Sequence, residues 1–136
     1  MSRLIAVALL LVLIIGLTVG CESSGISDRN ILSLEFQQVA EMLDAGNPRV
    51  VLVDVRQSRD YDAGHIPGAI HIFFSDLRAD DPQLKDAKTI IVCPQGWRDD
   101  LGPAATKRLL ALEYKNVYLF RGGVELWVAR ERQLVQ

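Results

Sequence analysis

Val50-Val51-Leu52-Val53-Asp54-Val55-Arg56-Gln57-Ser58-Arg59-Asp60-Tyr61-Asp62-Ala63-Gly64-His65-Ile66-Pro67-Gly68-Ala69 is the stretch on which the reading of this 136-residue chain turns. From Val50 to Val55 it is an apolar, β-branched run broken only by Asp54. A run with no polar face suits a strand buried on both sides of a parallel sheet. A polar residue ends it, and the ends of parallel strands are where α/β sheets place their sites.

Working outward, Phe36, Val39, Ala40 and Leu43 recur at helical spacing after Ser33, and Gly46-Asn47-Pro48 stops them. A polar turn containing Tyr61, Asp62 and Gly64 follows the central run. Ala69-Ile70-His71-Ile72, Thr89-Ile90-Ile91-Val92 and Val117-Tyr118-Leu119 read as short apolar strands. A helix is expected over residues 104–112, with Leu109, Leu110 and Leu112 covering the sheet, and a last one over residues 124–134. Strands alternating with helices predict a single α/β domain with a mainly parallel central sheet flanked by helices.

Acidic residues outnumber basic ones, 17 to 15, without a run of like charge in the body. No nucleic-acid partner is expected from such a balance. Nearly half of the residues are apolar, at 49%, and the polar ones are dispersed, which argues against disorder.

The first twenty residues differ from the rest. Arg3 precedes an uncharged stretch from Leu4 to Gly20, the build of a secretory signal. Leu17-Thr18-Val19-Gly20-Cys21 resembles the lipobox of bacterial lipoproteins, in which the cysteine is lipidated and becomes the mature N-terminus. The alternative is an uncleaved signal anchor, for which this stretch lies at the short end of the ~20 residues needed to span hydrocarbon. Either reading puts Arg3 on the cytoplasmic side and the body outside the cytoplasm, in a bacterial cell envelope. The expected organisation is a signal peptide over 1–20, a membrane anchor through a lipid on Cys21, a flexible tether over 21–29 and one domain over 30–136.

From Asp54 to Ala69 the sequence resembles the rhodanese family, with Gly64-His65-Ile66-Pro67-Gly68-Ala69 as its most specific part. Asn116-Val117-Tyr118-Leu119-Phe120-Arg121-Gly122-Gly123 with Trp127 is similar to the family's closing signature. Between them, Cys93-Pro94-Gln95-Gly96-Trp97-Arg98 stands directly after an apolar strand, in the position of the rhodanese active-site loop. The resemblance implies sulfurtransfer from thiosulfate. The Cys93 thiolate attacks the outer sulfur, sulfite leaves, and the persulfide on Cys93 passes sulfur to a thiophilic acceptor without a metal or organic cofactor.

The physics of such a loop is consistent with that chemistry. A loop leaving a parallel strand can turn successive amides inward as an anion nest around a thiolate, Gly96 permits a tight turn, and Arg98 adds positive charge. Pro94, Gln95 and Trp97 complete the expected anion-binding loop. Asp54 and Arg56 are expected to pair and hold neighbouring loops, His65 to bond to backbone, and Gly122, Gly123 and Trp127 to be structural. His65 and His71 with one cysteine match no zinc pattern.

One feature departs from the family: Asp99 and Asp100 follow Arg98, and Gly102-Pro103 comes before the helix, where Pro103 would occupy the first helical position. These carboxylates either raise the Cys93 pKa and repel thiosulfate, or point outward or cap the helix and leave the nest untouched. Sulfurtransfer is therefore weighed against a catalytically inactive binding module of the same fold. A phosphatase or arsenate reductase is disfavoured, because only four residues separate Cys93 from Arg98 where phosphatase loops have five. A redox carrier lacks a resolving thiol.

Overall fold

The computed structural model describes residues 25–136. The leader, the lipid site Cys21 and residues 22–24 of the expected tether lie outside the described residues. The chain forms β1 (Leu32–Ser33), α1 (Phe36–Asp44), β2 (Val50–Asp54), α2 (Ser58–Ala63), β3 (Ile70–His71), β4 (Thr89–Cys93), α3 (Leu101–Ala111), β5 (Val117–Leu119) and α4 (Gly123–Ala129). The sheet has five strands, all parallel, in the order β1-β5-β4-β2-β3.

The central pair explains the apolar runs. In β4, Ile91 and Cys93 face one side, with Leu52 of β2, Val39 and Ala40 of α1, and Val124 and Trp127 of α4. Ile90 and Val92 face the other, with Val53 of β2 and Ala105 and Leu109 of α3. Both faces are covered, so neither strand can afford the polar alternation of a half-exposed sheet.

Strand order also fixes where a site can form. From β2 the chain moves outward to β3, and from β4 it moves the opposite way to β5. The two connections diverge and leave a crevice beyond the carboxyl ends of β2 and β4, at the topological switch point. Asp54 and Cys93 are partners in register at those ends.

Several elements differ from the sequence reading. Helix α3 starts at Leu101, so Pro103 is third rather than first in it. The first turn tolerates proline because its amides have no intrahelical acceptor. Ser33 does not cap α1: it lies in β1, paired with Leu119, and Gln38 Oε1 accepts the Glu35 amide at 2.9 Å instead. The expected polar turn contains the short helix α2. Helix α4 ends at Ala129, five residues short of the expected end, because the chain turns back. Val135 then forms an antiparallel bridge with His65, and Trp127 Nε1 donates to the Gln133 carbonyl at 3.1 Å. At the other end, Asp28–Asn30 form a 3-10 turn, and Asp28 pairs with Lys107 of α3 at 2.8 Å, so the tether's last residues rest on the domain.

Candidate active site

The β2 side of the crevice is built around one buried ion pair. Arg56 Nη2 donates to Asp54 Oδ2 at 2.7 Å, and Nε reaches both carboxylate oxygens at 3.0 and 3.1 Å. The same guanidinium donates to the Gly64 carbonyl at 2.8 Å and, through Nη1, to Gln95 Oε1 at 3.1 Å. It therefore ties the loop after β2 to both the end of α2 and the loop after β4. Burial disfavours the Arg56 charge, but the hydrogen bond and charge of Asp54 outweigh this and hold its pKa above the ordinary value.

Histidines frame this pair without entering the crevice chemistry. His71 Nε2 donates to the Arg56 carbonyl at 2.8 Å, and His65 Nδ1 to the Tyr61 carbonyl at 3.0 Å. Tyr61 stacks on both rings and donates its hydroxyl to the Ala69 carbonyl.

The β4 side is the cysteine loop. Cys93 is fully buried, in the core between the sheet and helices α1 and α4. Its thiol donates to the Pro94 carbonyl at 3.6 Å. The loop is pinned from α4, whose Val124 and Glu125 amides donate to the Pro94 and Gln95 carbonyls at 3.1 and 2.9 Å. Gly123 allows this approach: its φ of 56° lies in the left-handed region, and a Cβ there would clash with the Pro94 carbonyl oxygen.

Asp99 takes part in the loop itself. Its Oδ2 accepts the Gln95 amide at 2.9 Å and its Oδ1 accepts the Leu101 amide, at the start of α3, at 3.0 Å. The carboxylate thus caps the first amide of α3, one of the two expectations, but it does not leave the loop untouched, because it also takes the Gln95 amide. Asp100 makes no side-chain capping bond.

Burial pushes the Cys93 thiol well above its ordinary value, Asp54 adds to the shift, Arg56 opposes it and Asp99 adds again. Arg56, paired with the Asp54 that stands in register with Cys93, is the cation that opposes this shift. Arg98 is exposed and makes no ion pair among the described residues, and Trp97 is 56% exposed beside it.

Two hollows flank the loop. A groove of about 450 Å³ is lined by Arg56, Asp60, Gln95 and Glu125, with Val128 and Leu134 on its apolar wall. A second, of about 530 Å³, is lined by Gln95, Gly96, Trp97, Arg98, Asp99 and Glu125. Cys93 lines neither, and Gln95 lines both. The sequence reading missed Glu125 and Leu134. Glu125 lies two residues beyond the Gly-Gly pair, where the next helix starts, a position that signals proximity to the loop. Leu134 falls within the helix expected over residues 124–134, but α4 ends at Ala129 and the returning chain brings Leu134 to the groove.

Fold and crevice together define an α/β protein of one domain with a cysteine at the switch point of a parallel sheet. The rhodanese-like domain model matches residues 35–130, and the chain belongs to that family. It is 32% identical over 124 residues to a thiosulfate:glutathione sulfurtransferase of Saccharomyces cerevisiae, covering 81% of this chain and 87% of the relative. It is 37% identical over 81 residues to the thiosulfate sulfurtransferase GlpE of Pseudomonas entomophila, covering 57% and 69%. Among solved structures, the rhodanese-like domain of an Anabaena protein is similar with a TM-score of 0.64 and 25% identity, covering 76% of this chain and 77% of that one. A Bacillus halodurans protein gives a TM-score of 0.71 at 23% identity, covering 79% and 78%, a likeness of fold.

Proposed function

We propose that this chain is a sulfurtransferase that carries sulfane sulfur as a persulfide on Cys93, taken from thiosulfate or a persulfide donor and passed to a thiophilic acceptor. The observation that carries the reading is the placement of Cys93 at the end of the central strand, buried beneath the crevice and in register with Asp54, whose partner Arg56 also holds Gln95 of the cysteine loop. Family membership and two relatives named for thiosulfate support it. In the first half-reaction the sulfur–sulfur bond of the donor breaks as one forms to Cys93. In the second, the acceptor attacks the outer sulfur and the Cys93 thiol is regenerated. Pro94, Gln95 and Gly96 shape the loop around that sulfur, and Arg98 meets anions arriving from solvent.

Intact mass of the purified full-length chain after incubation with each donor tests this. The expected result is a gain of one cyanide-removable sulfur that is absent in Cys93→Ser. An unmodified chain retaining a titratable thiol would overturn it. Such a result would favour the second reading, a binding module, for which the complete burial of Cys93 and its raised pKa are the supporting observations.

The same proposal places the domain outside the cytoplasm of a bacterial cell, on a membrane through a lipid on Cys21. Palmitate labelling lost in Cys21→Ser, with the chain in the membrane fraction, is the expected outcome; labelling that persists in that variant rules the anchor out.

A further inference from the structure

The Gln95 and Leu101 amides are a loop donor and a helix-terminal donor, the two kinds of group a parallel α/β crevice offers to an anion. Here one carboxylate of the chain takes both, at 2.9 and 3.0 Å. The surroundings add negative charge rather than remove it. Glu125 lies against Gly96, and its Oε1 receives Gln95 Nε2 at 3.5 Å. Glu125 and Asp99 both line the hollow beside Gly96 and Trp97. The Arg56 guanidinium is already bonded to Asp54, which leaves Arg98 as the exposed cation of this loop.

We propose that Asp99 is a specificity-determining residue, an internal anion that holds the loop where a dianionic donor would otherwise bind, so that the preferred donor is a persulfide carried on a thiol. The inference rests on the sulfurtransferase reading and narrows it. Thiosulfate transfer, Cys93–SH with S–SO3 2− giving Cys93–S–SH and SO3 2−, brings in a dianion and releases another beside Asp99. Persulfide transfer, Cys93–SH with R–S–SH giving Cys93–S–SH and R–SH, breaks and forms the same type of bond and returns the proton to the leaving thiol. The persulfide group and the thiol that leaves each carry at most one negative charge, where thiosulfate and sulfite each carry two.

Single-turnover loading of Cys93, read by intact mass, separates the donors when thiosulfate and cysteine hydropersulfide are each given to the wild-type chain, Asp99→Ser and Asp100→Ser. Serine keeps a short oxygen for the Leu101 amide while removing the charge. The wild-type chain is expected to load faster from the persulfide. Asp99→Ser should raise the thiosulfate rate by about tenfold or more, the scale set by a hydrogen bond to a charged group, and change the persulfide rate far less. Asp100→Ser should leave the thiosulfate rate within about threefold, since its exposed charge is screened and holds no loop amide.

Faster wild-type loading from thiosulfate, no gain in Asp99→Ser, or an equal gain in Asp100→Ser would each overturn the proposal. If Asp99→Ser does not fold, Asp99→Asn, which keeps the shape and an acceptor oxygen, is judged by the same criteria. Loading from neither donor in any of the proteins would instead overturn the sulfurtransferase reading, and this inference with it.

Discussion

The carboxyl ends of β2 and β4 lie side by side in register, yet they handle a carboxylate in opposite ways. Asp54 is buried and bonded by a guanidinium, which in turn fastens Gly64 and Gln95. Asp99 is half-buried and held by two backbone amides. In the first arrangement charge meets charge, and removing either partner strands the other in a medium that cannot solvate it. In the second the partners are neutral dipoles, which any short acceptor can satisfy. The β2 end is thus a fixed support, and the β4 end is the part whose chemistry can change while the fold stays.

The strongest way to break this contrast is Arg56→Ala. It leaves Asp54 buried without its partner and should cost about 3–5 kcal/mol, seen as a lower denaturation midpoint with an unchanged slope. A loss comparable with that of an exposed ion pair would show that the pair does not support the crevice.

Alkaline titration probes the boundary between the two ends, where Cys93 sits. Its folded pKa is raised above the ordinary 9.0. Below that value the thiol is protonated in both folded and unfolded chains and contributes no slope. Above it the unfolded chain ionises first, so stability should fall by up to about 1.4 kcal/mol per pH unit. Cys93→Ser should lack this component. Equal slopes in the two proteins would mean that the thiol ionises in the folded state near its ordinary value.

The smallest effect is expected from Asp99→Ala. Loss of a helix cap should cost about 1 kcal/mol by chemical denaturation, well below the Arg56 variant. A cost as large as that of Arg56→Ala would show that the Asp99 carboxylate is as indispensable to the fold as the buried pair.

The fold was legible because its deciding residues are continuous in sequence. Runs such as Val50–Asp54 and Thr89–Cys93 are apolar on both faces, and that pattern has few structural solutions. Elements made by distant pairing were not legible. Ser33 carries no local sign that it will pair with Leu119, and nothing near Val135 announces the bridge to His65. The same division holds at the site. The pairing of Asp54 with Arg56 follows from two residues at one strand end, whereas the exposure of Arg98, away from a buried Cys93, depends on how the loop after β4 turns. A capping role for Asp99 follows from its place just before α3, whereas its bond to the Gln95 amide depends on how the loop turns.

The sheet's outermost strands, β1 and β3, are two residues long each, against five for β2 and β4. Such short margins present few unpaired backbone groups along which a neighbouring molecule could extend the ladder. A sheet rich in valine and isoleucine is in this way kept from becoming a template for aggregation, even where many copies are crowded together.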